Sequence, residues 1–176
     1  CDMDPIMDLA QKHKLFIIED AAHALEAKYK GRKIGSLGNP TAFSFYANKN
    51  ITTGEGGMLT TSNDTLAERA NILRNHGASI SEEERHKGSQ PYLLPEFNVL
   101  GFNYRMTDFQ AALGIGQVKR YSTNLKKRRM NAKLYEKHLD TSKVRFPPYN
   151  KNSSYFLFQI IMDENLDRDQ IVTYLK

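Results

Sequence analysis

One lysine of this sequence stands where an apolar strand would end in a loop rich in threonine and glycine. Lys49 follows the largely apolar run at 41–46 and precedes the glycine-rich residues 54–57. A lysine at such a position can be partly removed from water, and this favours the neutral amine that attacks an aldehyde. Taken by itself, the pattern fits a surface lysine at a strand end even better.

An aspartate at the end of a second apolar run offers a complementary group. Residues 15–18 are continuously apolar and lead into Asp20, and His23 follows three residues later. An unpaired carboxylate at the end of a buried strand is unfavourable, and the N–H of a protonated pyridine ring would satisfy it. An imine-forming lysine and such an aspartate are what an enzyme supplies to pyridoxal phosphate (PLP). Alternatively, Asp20 is a helix cap or a salt-bridge partner, and His23 is structural rather than a donor to the cofactor's phenolic oxygen.

Three further polar side chains could bind anionic groups. The Ser44 hydroxyl could donate a hydrogen bond to a phosphate, although serine is common in strands. Asn103 precedes a predicted helix and could contact a phosphate, and Arg105 could pair with a carboxylate through two hydrogen bonds. A local capping and salt-bridge role for residues 103–105 is the simpler alternative.

The elements that would position these side chains alternate between helical and strand patterns. Helices are predicted over about 4–13 (capped by Asp4), 64–75 (capped by Asn63), 107–139 (with a break near Tyr121 and Ser122) and from 167 onward. Strands are predicted over 15–18, 41–46, 57–61 and 155–162, with a hairpin at 28–35 and a long loop at 78–100. This alternation predicts an α/β sheet with helices on its faces, in which ligands collect at the carboxyl ends of parallel strands.

Composition and charge restrict the class of protein. The chain has 176 residues, is 40% apolar, carries a formal charge of +5 and contains a single cysteine, Cys1. These values fit a globular domain without internal disulfides, in a reducing compartment. The densest basic run, at 126–129, is predicted to be a solvated helix face rather than a nucleic-acid or membrane patch. Because the chain opens on cysteine in a segment that already has helical pattern, we expect a fragment of a larger fold.

Four blocks of sequence, in this order, resemble the DegT/DnrJ/EryC1/StrS family of PLP-dependent sugar aminotransferases. They are residues 19–23 (Glu-Asp-Ala-Ala-His), 44–57, 74–77 (Arg-Asn-His-Gly), and 101–106 followed by 110–112 (Gln-Ala-Ala). The resemblance implies an aspartate-aminotransferase-like α/β fold (fold type I), with a mixed, mostly parallel sheet flanked by helices. Residues 1–121 would be the C-terminal part of the large PLP-binding domain, and residues 122–176 would begin a smaller α+β C-terminal domain.

The resemblance also implies a role for each candidate side chain. Lys49 would form the imine with PLP and carry protons. Asp20 would bind the pyridine nitrogen, and Ala22 would pack on the face of the ring. His23, at a position where relatives often have glutamine, would lie near the phenolic oxygen, and Ser44 would hold the phosphate.

Further implications concern a partner subunit and the substrate. In this family the asparagine that Asn103 matches reaches the phosphate of the partner's cofactor, which implies a homodimer with shared active sites. The loop at 78–100 would then lie close to the sugar-nucleotide site of the neighbouring chain. Residues 153–155 (Ser-Ser-Tyr) depart from a histidine that often precedes the aromatic residues of the last strand, so substrate contacts there stay open.

The activity implied by the resemblance is reversible transamination. Glutamate would supply an amino group, through PLP, to a nucleotide-linked keto-deoxy sugar in surface polysaccharide or glycan precursor biosynthesis. We expect a cytoplasmic enzyme without metal, nucleic-acid or membrane partners. A sugar dehydratase of the same superfamily is one alternative, disfavoured because such members replace the lysine by histidine. A non-enzymatic regulatory protein is another, disfavoured because no helix-turn-helix is recognisable; a third is an inactive fragment or partner subunit.

Overall fold

The computed structural model describes residues 1–80, 86–87, 92 and 94–175. The helices with described bounds are α1 (Met3–His13), α2 (Asp64–Arg74), α3 (Asp108–His138) and α4 (Arg168–Tyr174). The strands are β1 (Glu19–Asp20), β2 (Lys28–Tyr29), β3 (Arg32–Lys33), β4 (Thr41–Ser44), β5 (Gly57–Thr60), β6 (Val144–Arg145) and β7 (Ile161–Met162).

The sheet that carries the candidate residues has the strand order β1-β4-β5. Strand β1 runs parallel to β4, with Asp20 opposite Ala42, and β4 runs antiparallel to β5, with Ser44 opposite Gly57. Because β1 and β4 point the same way, Asp20 and Ser44 end neighbouring strands at one edge of the sheet. The hairpin predicted at 28–35 is confirmed by the antiparallel pair of β2 and β3.

The strand predicted at 15–18 is wrong, because pairing begins only at Glu19. The Glu19 amide donates to the Pro40 carbonyl at 2.9 Å, and Pro40 itself has no N–H with which to extend the ladder backwards. Leu15, Phe16 and Ile18 therefore lie outside the strand ladder, and their exposed fractions are 64%, 71% and 66%. Parallel pairing at this edge was predicted correctly, but the position of the strand was not.

The strand predicted at 155–162 is also wrong over most of its length, since β7 covers only Ile161–Met162. Tyr155 has a φ of 47°, in the left-handed region that side chains other than glycine rarely adopt. This single residue bends the chain away from an extended path. Periodicity cannot reveal such a bend, because the aromatic residues of 155–158 fit a strand pattern equally well.

Helix α1 begins earlier than predicted and is capped differently. Its N-cap is Asp2, which makes no side-chain capping bond. The predicted cap, Asp4, instead accepts a hydrogen bond from the Tyr29 hydroxyl at 2.8 Å and pairs with Lys30. The bond from Lys30, followed by that from Tyr29, lowers the pKa of the Asp4 carboxyl from its ordinary value. Asp4 thus ties α1 to the β2–β3 hairpin.

Helix α2 has the cap that the sequence predicts: the Asn63 side chain accepts from the Leu66 amide at 3.0 Å. The loop predicted at 78–100 is described only in part, since 81–85, 88–91 and 93 lie outside the described residues. At its base, Ala78 forms an isolated bridge with Phe97. The last predicted helix runs over Arg168–Tyr174.

Helix α3 is unbroken over its 31 residues, so the break predicted near Tyr121 and Ser122 is wrong. It begins with a capping box between Thr107 and Gln110. Tyr121 is only 6% exposed and belongs to a core cluster with Phe45, Ile51 and Leu125. Packing of this ring in the core outweighs the modest intrinsic helix propensity of tyrosine and serine, and the helix continues through both residues.

Candidate active site

Lys49 and His23 meet at the edge where β1 and β4 end. Lys49 lies in a turn after β4, with its amide donating to the Tyr46 carbonyl at 3.0 Å, and His23 lies in a turn after β1. Lys49 Nζ is 2.7 Å from His23 Nε2. A lysine ammonium can only donate, so with Lys49 in that form His23 Nε2 is the acceptor and the ring proton is on Nδ1; a neutral lysine amine can also accept from an Nε2–H.

Asp20 ends β1 with its carboxylate at the surface of the same edge. One of its oxygens, Oδ1, accepts a hydrogen bond from the Ala22 amide at 3.0 Å. Asp20 is exposed and Ala22 is half-buried. The bond from Ala22 orients the carboxylate without covering it, so the group can still accept a hydrogen bond from a bound ring.

Ser44 ends β4 and is half-buried. Its hydroxyl oxygen accepts from the Tyr46 amide at 3.3 Å. The loop beyond Lys49 is ordered by Thr52, whose hydroxyl donates to the Phe45 carbonyl at 3.2 Å and accepts from the Gly54 amide at 2.9 Å. These bonds hold the chain on both sides of Lys49.

An aromatic side chain that sequence reasoning missed covers the Lys49–His23 pair. The Phe156 ring stacks on His23, with centroids 4.0 Å apart and planes inclined by 24°. Lys49 Nζ lies 5.0 Å from the centroid of the same ring, within the range of a cation–π contact. Phe156 lies 107 positions from Lys49 in the sequence, and only its aromatic surroundings at 155–158 gave a signal.

Residue Ser154, which departs from the family pattern, has a structural partner here. Its buried hydroxyl donates to the His23 carbonyl at 3.0 Å, although the two residues are 131 positions apart. The C-terminal part of the chain is therefore attached to the turn that carries His23.

Two residues of the basic run are only partly solvated, contrary to the prediction of a solvated face for 126–129. Arg128 Nη1 donates to the carbonyls of Tyr155 at 3.1 Å and Phe156 at 3.3 Å. Arg129 Nε donates to the Ser153 carbonyl at 3.2 Å. Both arginines are half-buried, whereas Lys126 and Lys127 are exposed. The density of basic residues in the sequence alone does not distinguish the half-buried positions of this helix from the exposed ones.

A buried network joins α3 to the two turns of the site. The Tyr121 hydroxyl donates to the Leu25 carbonyl at 2.8 Å and accepts from Asn50 Nδ2 at 3.3 Å. Burial, with a smaller effect of the Glu26 charge, raises the pKa of Tyr121 above its ordinary value. Asn50 Oδ1 is buried without a hydrogen-bond partner among the described residues.

Asn103 lies on a different segment, which pairs with the end of α2. The amides of Phe102 and Tyr104 donate to the carbonyls of Leu73 and Arg74 at 2.7 and 2.9 Å. Asn103 is exposed, and its Oδ1 accepts from Arg105 Nε at 3.2 Å. Within the described residues the side chain of Asn103 has this local hydrogen bond and none to Lys49 or His23. Its expected contact with a partner's cofactor stays a prediction.

These groups fit the requirements of PLP. The amine of Lys49 stands beside a hydrogen-bond acceptor, and the exposed carboxylate of Asp20 ends the neighbouring strand. Ser44 offers a hydroxyl at the same edge of the sheet. An amine, an anion for a pyridinium N–H and a donor for a phosphate are thus supplied by two adjacent strand ends.

This architecture is that of the aspartate-aminotransferase-like α/β fold, fold type I, and the expected fold class is confirmed by solved structures. The putative sugar aminotransferase Spr1654 from Streptococcus pneumoniae, in its PLP form, aligns with a TM-score of 0.82 and 27% identity. That alignment covers 99% of this chain and 48% of the other. Over residues 1–176 the chain matches the DegT/DnrJ/EryC1/StrS aminotransferase family, and it belongs to that family.

Two relatives are similar over almost the whole chain. GDP-perosamine synthase of Caulobacter vibrioides is 40% identical over 98% of this chain and 45% of its own length. The spore coat polysaccharide biosynthesis protein SpsC of Bacillus subtilis is 40% identical over 100% of this chain and 46% of its own length. The chain thus spans about half the length of the relatives it matches. No helix within the described residues is long and apolar enough to cross a membrane.

Proposed function

We propose that the intact protein carrying this chain is a PLP-dependent transaminase that moves an amino group from glutamate to a nucleotide-linked keto-deoxy sugar. The product would enter surface polysaccharide or glycan precursor biosynthesis. The observation that carries this proposal is the 2.7 Å pairing of Lys49 Nζ with His23 Nε2 at the strand ends beside Asp20. Support for the sugar substrate comes from the family and from the names of the relatives.

The side chains of this site divide the work of proton transfer and binding. When bound, PLP supplies an electron-accepting ring that stabilises negative charge on the reacting carbon. Lys49 Nζ acts as general base and then general acid, taking a proton from the substrate carbon and returning it to a neighbouring atom. His23 Nε2 accepts a hydrogen bond from Lys49 Nζ and so keeps the amine at one place.

The other candidate residues bind and orient. Asp20 accepts the hydrogen bond of the ring N–H and keeps that nitrogen protonated, because a carboxylate favours the positively charged form of its partner. Ser44 donates its hydroxyl to the phosphate, and Ala22 packs on the ring. Phe156 covers Lys49 and His23 on one side and keeps water away from the amine.

Assembly, location and domain structure extend the proposal. We infer a homodimer in which Asn103 reaches the phosphate in the partner's site and the loop at 78–100 lies near the partner's sugar nucleotide. Residues 1–121 belong to the large domain and 122–176 begin the small one. The enzyme acts in the cytoplasm.

Replacement of Lys49 tests the proposed function directly. Lys49→Ala in the intact protein should abolish the visible absorbance of bound PLP and reduce transamination by about a thousandfold or more, since it removes the general base. Activity is measured with glutamate against a panel of keto-sugar nucleotides. Lys12→Ala, at an exposed lysine of α1, is the matched control and should behave as wild type. Full turnover in Lys49→Ala would contradict the proposal.

A further inference from the structure

Residues 153–156, here called the Phe156 segment, are held in an unfavourable backbone conformation by several independent contacts. Tyr155 has its φ at 47°. A non-glycine residue keeps such a conformation only where its surroundings enforce it. Arg128 donates to the carbonyl of Tyr155 at 3.1 Å and to that of the following residue, Phe156, at 3.3 Å, and the Ser154 hydroxyl donates to the His23 carbonyl.

The bend has a definite result at the site. It carries the Phe156 ring onto His23, at a centroid distance of 4.0 Å, and brings the same ring to 5.0 Å from Lys49 Nζ. One ring therefore contacts both members of the Lys49–His23 pair. A cation over the face of an aromatic ring is attracted by the ring's quadrupole, so Phe156 favours one position of the Lys49 ammonium.

We propose that Arg128 is a positioning residue for Lys49, acting through Phe156. Arg128 binds the Tyr155 and Phe156 carbonyls and so stabilises the bend at Tyr155. The bend places the Phe156 ring against Lys49 and His23, and the ring keeps these two side chains in their 2.7 Å contact. This inference rests on the proposed function, because the amine of Lys49 must be oriented for its reaction with PLP. Lys127, next to Arg128 but exposed, carries the same charge without these contacts.

The test follows the reaction of Lys49 with PLP and needs no sugar substrate. The intact protein is freed of PLP, mixed with it again, and treated with borohydride at successive times, and the pyridoxyl label on Lys49 is quantified by peptide mass. Arg128→Met and Phe156→Leu should each slow labelling about fivefold, the equivalent of one cation–π contact. The double variant should label no more slowly than the slower single variant, because both changes remove the same interaction, that of the Phe156 ring with Lys49. Lys127→Met should label at the wild-type rate.

Thermal unfolding and circular dichroism of every variant separate positioning from loss of fold. Should Arg128→Met not fold, the same cycle is run with Arg128→Gln, which keeps a shorter amide donor. Losses that multiply in the double variant would overturn the proposal, and so would wild-type labelling in Arg128→Met. Failure of the wild-type protein to label Lys49 at all is a different result: it would refute the proposed function and this inference with it.

Discussion

The region around Lys49 and the region around Asn103 are both marked by family motifs, but they differ in the contacts that this chain supplies to each. Lys49 and His23 both contact Phe156, and the His23 carbonyl accepts a hydrogen bond from Ser154; Phe156 and Ser154 lie more than 100 positions away from either residue. Asn103 has a backbone held by the end of α2 and a side chain that is exposed beside Arg105. The difference teaches that a motif identifies a residue, whereas its contacts show which of its surroundings come from distant parts of the same chain.

Close to Asn103, two backbone segments pass each other at Gly77 and Gly101, and neither position has room for a side chain. A Cβ built on Gly101 would lie 2.1 Å from the Gly77 amide nitrogen, and one on Gly77 would lie 1.9 Å from the Val99 carbonyl oxygen. The two chain segments can pass each other only because both positions lack a side chain.

Gly101→Ala should therefore have the largest effect on stability. Because the added methyl group meets backbone atoms that cannot rotate away, we expect a loss of about 3 kcal/mol in the free energy of unfolding. Urea unfolding measures it. Gly116→Ala, in α3 with open space around the site, is the control and should stabilise by about 0.5–1 kcal/mol. Equal stability of Gly101→Ala and wild type would show that the two segments are less closely packed than described.

Tyr121→Phe tests the buried bonds of the Lys49 region and should have an intermediate effect. Removal of the hydroxyl leaves the Leu25 carbonyl and the Asn50 amide without this partner, at a cost of about 1–2 kcal/mol in unfolding free energy. Tyr135→Phe, at an exposed tyrosine of the same helix, should change little.

The effect of Tyr121→Phe should also depend on pH. Folding raises the pKa of Tyr121 above its ordinary value of 10.0. The contribution of the Tyr121 hydroxyl to the free energy of unfolding is therefore present below about pH 10, and it is lost as pH rises through the pKa of the folded state. The stability difference between wild type and Tyr121→Phe should shrink above that pH in urea unfolding series. A difference that stays constant would mean that Tyr121 does not titrate differently in the folded protein.

Asn103→Ala should have the smallest effect on stability and so sharpens the contrast between the regions. Because the side chain is exposed and bonds only locally within the described residues, the free energy of unfolding should change by less than about 0.5 kcal/mol. PLP affinity of the intact protein, measured by titration of its absorbance, should nevertheless fall if Asn103 serves a partner's site. Asn124→Ala, at another exposed asparagine, should leave that affinity unchanged.

The sequence alone was sufficient to predict which strand ends carry the candidate residues and which residue caps helix α2. Asn63 as a helix cap and the parallel pairing that ends at Asp20 follow from rules acting over a few residues. The sequence did not predict that Phe156 contacts Lys49 or that Arg128 binds residues 155–156. These contacts, like the bend at Tyr155 and the packing of Tyr121, depend on segments that are distant in the sequence. The exposed Leu15 and Phe16 were misjudged for the same reason, since apolar character does not say whether a neighbouring strand is present.

The uninterrupted course of α3 has a mechanical consequence. It runs through the proposed boundary at 121–122, and its 31 residues give it a length of about 46 Å. The two proposed domains are therefore joined at that point by a continuous helix rather than by a flexible linker. Any rotation of one proposed domain against the other must bend this helix or pivot beyond its ends, and it would also act on the hydrogen bonds that Tyr121 and Arg128 make to Leu25 and to residues 155–156.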